Sequence, residues 1–390
     1  MKKTSGKKIG MMITALLLGA AVALAAAGCA AQTGKSTAED TAAAASLAAS
    51  LLTERDLAQN ADLTGAETVT LTSGSTVTVT KAGVYVLSGT VRNTMIEVNA
   101  GDDDKVQLVL NGLNVTNTSL PVIHVLNADK VFVTLAEGSE NTLTVTGTFA
   151  SSGGVTCNAV IDSRDDLVLN GLGNAVISST DHGVNGRDDV KLTGGTWEIS
   201  ANACAVRAND EIIGSGGTWT LKAGMDGLHA ENEDDASQGS VMLLGGEWTV
   251  NAGDDALHAT TTAVISAGRY SLKGAEGIEA TQVKIQGGTI DITATDDGIN
   301  GGQKAKNLSV LVEFTGGTTT IVMGSGDTDA VDSNGDLVIT GGTVNITARS
   351  AFDYDGTCTF TGGTVYVNGV LTTQIANQMM GGQGGMGGKH

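Results

Sequence analysis

The segment GGTWTLKAGMDGLHAENEDDASQGSVMLLGGEWTVNAGDDALHA (residues 216–259) contains two copies of a short phrase that begins with a glycine pair, roughly G-G-T-x-x-I-x-A. The pairs recur between Asp181 and Asn368, with Ala267-Gly268 in place of one. They are Gly194-Gly195, Gly216-Gly217, Gly245-Gly246, Gly287-Gly288, Gly316-Gly317, Gly341-Gly342 and Gly362-Gly363. Successive second glycines are 22, 29, 22, 20, 29, 25 and 21 residues apart. A period of about 22 residues, lengthened by inserted loops, is typical of a solenoid.

Within each period, which we call a repeat unit, Val, Ile, Leu and Thr alternate with polar residues over four to six positions. Trp219 and Leu221, for example, fall on one face at a spacing of two. This alternation predicts strands and not helices. Two or three strands in a unit of this length, joined by sharp glycine turns, predict an all-β, single-stranded right-handed parallel β-helix. Stacking buries the inward face of each unit, so we expect the array to form one domain.

The N-terminus has the layout of an export signal. Four lysines precede an apolar run from Ile9 to Ala27, and the run ends in Ala26-Ala27-Gly28-Cys29. This ending resembles the lipobox of bacterial lipoproteins and predicts lipidation of Cys29, with a transmembrane anchor or a simple secretory signal as alternatives. We therefore expect a protein that is lipid-anchored to the outer face of the bacterial cytoplasmic membrane.

Changes in composition along the chain predict four segments. We predict a signal peptide at 1–28, a flexible linker at 29–60 with a possible short helix from Ala42 to Leu52, a parallel β-helix at 61–370 and a glycine-rich disordered tail at 371–390. Residues 1–28 hold four lysines and no acidic residue, so the formal charge of −20 becomes −24 without them. A surface of this charge should repel nucleic acid and anionic membranes, which leaves the lipid anchor as the expected membrane contact.

Acidic residues recur at the turn that precedes the first strand of each repeat unit. We call this set the turn column: His182, Cys204, Asp226, Asp255, Glu276, Asp297, Asp329 and Ser350. Asp254, Asp296 and Asp327 lie beside it. Turn formation alone explains many aspartates, but glutamate has little turn propensity. Because stacked carboxylates repel each other and calcium prefers carboxylate oxygens, we predict a calcium site made by the five acids of the column with these three neighbours.

A second polar set lies three positions further along the chain. We call it the strand column: Asn185, Arg207, His229, His258, Glu279, Asn300, Asp332 and Asp353. From this set we select His229, His258, Glu279, Asn300 and Asp332 as candidate ligand-contacting residues. Arg207 is its basic residue apart from the two histidines, and no arrangement identifies a catalytic base. Cys157, Cys204 and Cys358 lack the paired spacing of a zinc site.

Several stretches resemble a family of bacterial cell-surface carbohydrate-binding proteins. They are SGTVRNTMIEVNAGDDDKVQLVLNGLNVTN (88–117), LNADKVFVTLAEGSENTLT (126–144), GLHAENEDDAS (227–237), EGIE (276–279) and DAVDSNGDLVITGGTV (329–344). The resemblance implies a pectate-lyase-like right-handed parallel β-helix, calcium binding, and binding of cellulose-type and pectin-type polysaccharides. On this basis we predict that the carbohydrate contacts are made by His229, His258, Glu279, Asn300 and Asp332. The chain departs from the family at Asn202–Ala205, where the acidic turn is missing, and at Gly301–Lys306, where the loop is basic.

Three classes of function remain open. The first is a non-catalytic, calcium-dependent polysaccharide-binding protein on the cell surface. The second is a calcium-dependent lyase of the pectate type, which needs a lysine or arginine base. The third is a structural or adhesive surface protein. The aromatic series Trp197, Trp219, Trp248 and Tyr270 suits a sugar-stacking platform, but its phase matches that of the core residues, so we predict that it is buried.

Overall fold

The computed structural model describes residues 38–152, 154, 156–232, 235, 237–325 and 328–378. The predicted signal peptide, Cys29 and Asp327 lie outside these residues, as does the tail from Met379 onward. Two helices are present, α1 (Ala38–Leu51) and α2 (Glu54–Leu57). Neither of these helices has the length and apolar character that a membrane crossing requires.

Strands make up most of the described chain. The first seventeen are β1 (Glu67–Val69), β2 (Thr76–Val79), β3 (Gly83–Arg92), β4 (Met95–Asn99), β5 (Lys105–Asn117), β6 (Ile123–Asn127), β7 (Lys130–Leu135), β8 (Glu140–Val145), β9 (Ala159–Ser163), β10 (Asp166–Gly171), β11 (Asn174–Ser179), β12 (His182–Gly186), β13 (Val190–Leu192), β14 (Thr196–Ala201), β15 (Val206–Ala208), β16 (Glu211–Gly214) and β17 (Thr218–Ala223). The remainder are β18 (Leu228–Ala230), β19 (Ser240–Leu243), β20 (Glu247–Asn251), β21 (Leu257–Ile265), β22 (Arg269–Gly274), β23 (Ile278–Ile285), β24 (Thr289–Ala294), β25 (Ile299–Gly301), β26 (Leu311–Phe314), β27 (Thr318–Met323), β28 (Asp329–Ser333), β29 (Asp336–Ile339), β30 (Thr343–Thr347), β31 (Ser350–Tyr354), β32 (Cys358–Phe360), β33 (Thr364–Val367) and β34 (Val370–Thr372).

These strands form one 34-stranded sheet in which the described pairings are parallel, except that between β33 and β34. Each strand generally pairs with the strand three places further along the chain, so the sheet consists of three stacks. The first stack contains β7, β10, β13, β16 and β19, the second β8, β11, β14, β17 and β20, and the third β6, β9, β12, β15 and β18. The prediction of an all-β protein is therefore confirmed, and the sheet is mostly parallel.

The aromatic series lies in the core, as predicted. Trp197, Trp219, Trp248 and Tyr270 occupy equivalent positions of the second stack and are at most 2% exposed. The ring centroids of Trp219 and Trp248 are 5.3 Å apart, and the two rings are nearly parallel. Each indole nitrogen donates a hydrogen bond to the carbonyl of the first glycine of its own unit, as from Trp219 to Gly216 at 2.7 Å. The hydrogen bond satisfies a polar atom that burial removes from water.

The second glycine of each pair has a positive φ, which explains why the phrase recurs. Gly217, for example, has φ +84°, a left-handed conformation that other residues adopt at a cost. A Cβ atom at Gly217 would also lie 2.8 Å from the carbonyl oxygen of Gly195 in the neighbouring unit. The glycine therefore allows both the sharp turn and the close stacking of adjacent units.

Residues 38–59, predicted as part of a flexible linker, are ordered against the sheet. Asp56 of α2 is fully buried, and its Oδ1 lies 3.2 Å from Nζ of Lys130. Thr193 donates a hydrogen bond to the Asp56 carbonyl, and Gln59 accepts one from the amide of Gly171. The low-complexity composition of this segment did not indicate these contacts, because their partners are distant in the chain. The possible helix at Ala42–Leu52 corresponds to α1.

The C-terminal boundary also differs from the prediction. Residues 371–378, assigned to the disordered tail, contain part of β34 and then follow the last strand of the third stack. Gln378 donates its amide hydrogen to the carbonyl of Phe352 and accepts a hydrogen bond from the amide of Ala351. This segment therefore supplies hydrogen-bond partners to β31, the last strand of the third stack.

Candidate functional site

The structure aligns both predicted columns along the third stack. In the strand column, Arg207 is in register with His229, His229 with His258, and His258 with Glu279. In the turn column, the amide of Gly227 donates to the carbonyl of Asp255, and that of Gly277 donates to the carbonyl of Asp297. Equivalent side chains therefore follow one another at the spacing of adjacent strands, about 4.8 Å.

A groove of about 610 Å³ lies over the middle of these columns. Of the predicted site residues, its walls contain Asp226, Asp254, Asp255, Glu276, His229, His258 and Glu279. It also contains residues that the sequence analysis did not select: Met225, Glu231, Thr260, Gln303 and Lys304. The lining does not include the column members Asp297, Asp329, Asn300 and Asp332, nor Asp296 beside them.

The two histidines of the groove each bind the aspartate of their own turn. Nδ1 of His229 lies 2.7 Å from Oδ2 of Asp226, and Nδ1 of His258 lies 2.8 Å from Oδ2 of Asp255. The imidazole rings stack with centroids 4.6 Å apart. Nδ1 of His258 is also 2.9 Å from Oε2 of Glu279. Both histidines are thus held in fixed orientations by carboxylates.

These contacts change the proton affinities of the groups involved. Burial opposes the charged form of His258, but hydrogen bonds to Asp255 and Glu279 outweigh it and raise its pKa to about 10. Burial raises the pKa of Asp255 to about 6, against the hydrogen bond from His258. The pKa of Glu279 is lowered to about 2, because hydrogen bonds from His258 and Lys304 outweigh its burial. The groove therefore contains a strongly coupled set of charges.

Lys304 is a site residue that sequence reasoning missed. It lies in the loop between β25 and β26, and its Nζ is 2.5 Å from Oε1 of Glu279. The amide of Lys304 donates to the hydroxyl of Thr281 at 3.0 Å, which fixes the loop over the groove. The signal in the sequence that could have indicated it is the basic character of Gly301–Lys306, where the chain departs from the acidic pattern.

Glu276 and Asn300 present two oxygens without a hydrogen-bond partner. Nδ2 of Asn300 donates to Oε1 of Glu276 at 3.2 Å, whereas Oε2 of Glu276 and Oδ1 of Asn300 are buried and unpaired. Burial, and then the charges of Glu279 and Asp255, raise the pKa of Glu276 to about 8. Buried polar atoms normally have hydrogen-bond partners, so these two oxygens are free to bind a water or an ion.

The acids beyond the groove are also perturbed. Burial, and then the charge of Asp297, raise the pKa of Asp332 to about 7. Burial raises the pKa of Asp297 to about 6, against a hydrogen bond from the amide of Asp329. The hydroxyl of Ser350 donates to Oδ1 of Asp329. Asp254 and Asp296 are exposed. The columns thus continue as an all-oxygen surface toward the C-terminus.

Toward the N-terminus the strand column continues as buried side chains. Its members there are Asp162 and His124, both fully buried and in register with each other. Cys157 and Asn158, directly before β9, lie against them, since the amide of Asn158 donates to Oδ2 of Asp162 and Sγ of Cys157 lies 3.8 Å from Nε2 of His124. Both members of the column are therefore closed off from solvent here.

Within the described residues, three trios bring one potential ligand atom from each member within 4.8 Å of the others. They are Cys204–Asp226–His229, Asp255–His258–Glu279 and Asp166–Asp188–Asp189. In the third trio, Asp166 and Asp189 form ion pairs with Lys130 and Lys191. The first two lie in the turn and strand columns, at the groove.

Comparison with known proteins finds a curated relative and a solved structure that are similar to this chain. A curated protein of Acetivibrio thermocellus, described as a carbohydrate-binding domain-containing protein, is 36% identical over 126 residues, which are 32% of this chain and 44% of that protein. This chain thus matches less than half the length of that relative. A solved structure, described as the polysaccharide lyase-like protein from C. thermocellum in a gadolinium derivative, is 26% identical and has a TM-score of 0.31, over 76% of this chain and 86% of that one.

A family profile described as "carbohydrate-binding domain-containing protein" matches residues 73–330 and 268–371. Together these ranges extend over more than half of the chain and include the groove and both columns. The chain therefore belongs to the carbohydrate-binding domain-containing protein family.

Proposed function

We propose that this protein is a non-catalytic, calcium-dependent polysaccharide-binding protein on the bacterial cell surface, with its strands wound into a right-handed parallel β-helix. The three parallel strands of each repeat unit support a β-helix. We infer the right-handed form because crossover connections between parallel strands are almost always right-handed. The observation that carries the functional proposal is the pair of unpaired oxygens on Glu276 and Asn300 beside the groove.

Calcium fits the donor atoms at this position. It prefers several carboxylate and carbonyl oxygens in a flexible arrangement, and Glu276, Asn300, Asp255 and Asp297 supply such oxygens from consecutive units. Without a cation, neighbouring carboxylates at about 5 Å repel each other by roughly 3 kcal/mol at an effective dielectric of about 20. The raised pKa of Glu276 is the expected consequence of this repulsion and of burial.

The groove suits an extended polymer better than a small molecule. The strand column repeats at the spacing of adjacent strands, so its polar groups form a linear array along the stack. Charged and amide side chains such as His258, Glu279 and Asn300 can exchange hydrogen bonds with sugar hydroxyls. A calcium ion in the turn column would attract the carboxylates of a pectin-type polymer, whereas a cellulose-type chain would use the hydroxyl contacts.

The charges of the groove favour binding without cleavage. Lys304 is the lysine of the groove lining and would be the closest candidate for a lyase base. Burial opposes its charged form, but the hydrogen bond to Glu279 and the nearby acids outweigh it and raise its pKa above the ordinary value. A general base must be deprotonated near the working pH. Sustained formation of unsaturated products from pectate with calcium, abolished by Lys304→Met, would favour a lyase instead.

We also propose that Cys29 carries the lipid that anchors the protein outside the cytoplasmic membrane. The proposal rests on the basic and apolar segments before Ala-Ala-Gly-Cys. Mass spectrometry of the mature N-terminus should find a diacylglyceryl-modified Cys29. An unmodified N-terminus at any other residue would contradict it.

Calorimetric titration with calcium tests the metal assignment. The full-length protein should bind calcium, and Glu276→Gln should weaken binding at least tenfold, because an amide of the same shape cannot become the carboxylate ligand that Glu276 provides once calcium displaces its proton. Glu247→Gln, at an exposed position on β20, should bind as the wild type does. No heat of binding, or equal affinities for both variants, would reject calcium at this position.

A further inference from the structure

Cys204, Asp226 and His229 form a ligand set that differs in chemistry from the rest of the columns. Their potential ligand atoms lie within 4.8 Å of one another. Oδ2 of Asp226 is 2.7 Å from Nδ1 of His229 and 3.7 Å from Sγ of Cys204. Cys204 and Asp226 are only 2% and 4% exposed. One carboxylate oxygen, one thiol and one imidazole nitrogen therefore converge in a buried position.

The contacts around the trio hold each member in a fixed orientation. The second carboxylate oxygen of Asp226, Oδ1, accepts the amide hydrogen of Asp255 at 3.0 Å, which directs Oδ2 toward the other two members. The other ring nitrogen of His229, Nε2, lies 3.2 Å from Oε2 of Glu231. A histidine that binds a metal commonly donates its second ring N–H to a carboxylate, and this outer contact fixes the ligating nitrogen.

We propose that Cys204, Asp226 and His229 bind a divalent transition-metal ion of the zinc class, at a site separate from the calcium ligands around Glu276. Thiolate and imidazole ligands select zinc-like ions, while calcium prefers oxygen. When the ion binds, the Cys204 thiol releases its proton to solvent, and the resulting thiolate and the Asp226 carboxylate together supply two negative charges, which the divalent ion neutralises. Three protein ligands leave one position of a tetrahedral ion for water or a ligand oxygen.

The surroundings of the trio provide access for the ion. Asp226 and His229 line the groove, so an ion can reach them from solvent without unfolding the chain. Cys204 also lies in the segment Asn202–Ala205, where the acidic turn of the column is replaced. At this position of the turn column a thiol replaces the carboxylate of the following units. The potential ligands therefore change from oxygen atoms alone to one sulfur, one nitrogen and one oxygen.

Cobalt(II) titration of the metal-free, full-length protein tests this site, because thiolate-bound cobalt has a charge-transfer absorption in the near ultraviolet. We expect this band to saturate at one equivalent, to disappear on addition of zinc, and to persist in millimolar calcium. Cys204→Ser should remove the band. The matched variants Cys157→Ser and Cys358→Ser should retain it, although Cys157 is also buried.

A second variant distinguishes loss of the metal site from a general folding defect. Glu231→Gln leaves the three ligands in place and should weaken cobalt binding by about tenfold, the usual effect of losing an outer-sphere partner. Thermal unfolding should confirm that both variants are folded. The proposal is overturned if the wild type shows no charge-transfer band, if Cys204→Ser keeps it, or if calcium displaces the cobalt. The cobalt titration does not depend on calcium binding at Glu276, so a failure of the calcium proposal would not change its result.

Discussion

Nζ of Lys304 lies 2.5 Å from Oε1 of Glu279, so a lysine from an inserted loop pairs with an acid of the strand column. This ammonium group supplies a resident positive charge at the acidic groove. Together with His258, it compensates part of the carboxylate charge when no metal ion is bound. The loop that the sequence analysis interpreted as a departure from the family pattern is therefore part of the site.

Replacing Lys304 by methionine should tighten calcium binding by about threefold to tenfold, because a competing positive charge is lost. The variant should also be less stable than the wild type in chelator, since Glu279 loses a partner. Calorimetry and thermal unfolding measure the two effects. Lys306→Met, an exposed change in the same loop, should alter neither. Unchanged calcium affinity in Lys304→Met would show that the lysine is too well screened to matter.

Removing one indole of the aromatic series should destabilise the sheet. Trp219 is fully buried between Trp197 and Trp248, and Trp219→Ala should cost about 3–5 kcal/mol of unfolding free energy. Urea denaturation measures this loss. The neighbouring Thr220 is exposed on the same strand, so Thr220→Ala should change stability by less than about 0.5 kcal/mol. Similar losses for both variants would contradict a core role for the tryptophans.

The N-terminal segment should detach when its buried ion pair is broken. Asp56→Ala leaves Lys130 nearly buried without this partner, a change that typically costs about 3–5 kcal/mol. Hydrogen exchange followed by mass spectrometry should show faster exchange in residues 44–59. Glu54→Ala, at an exposed position of the same helix, serves as the control. Unaltered exchange in the Asp56 variant would mean that the backbone contacts of Gln59 and Thr193 are sufficient.

Glu211 should make stability depend on pH. Burial, and then the charge of Asp189, raise its pKa from 4.5 to about 7. The folded protein thus retains a proton that the unfolded chain has lost, and stability falls as the pH rises from 4.5 to 7. Glu211→Gln should remove this fall and be more stable above pH 7 by about 3 kcal/mol.

Urea denaturation of Glu211→Gln at several pH values tests this dependence. The variant and the wild type should differ little near pH 4.5, and their difference should grow up to about pH 7. Glu198→Gln, on an exposed position of β14, provides the comparison. A difference that stays constant with pH would show that the Glu211 carboxyl is not perturbed in the folded state.

The repeat itself predicted much of the fold and part of the site. Glycine spacing and period-two alternation located the strands, because a left-handed turn and a two-sided strand restrict residue choice directly. The same register aligned His229, His258 and Glu279. The sequence did not reveal Lys304, because an inserted loop places it and the period says nothing of loop paths. The docking of Asp56 was missed for a similar reason, since its partner Lys130 is remote in the chain.

Retention of the protein on polysaccharide, compared in calcium and in chelator, decides whether the groove functions as proposed. With immobilised polygalacturonate and cellulose as probes, the wild type should bind at least one of the two in millimolar calcium and lose at least tenfold in affinity in chelator. Glu276→Gln in calcium should behave as the wild type does in chelator, and Glu247→Gln should bind normally. Equal binding with and without calcium, or no binding to either polymer, would contradict a calcium-dependent polysaccharide-binding function.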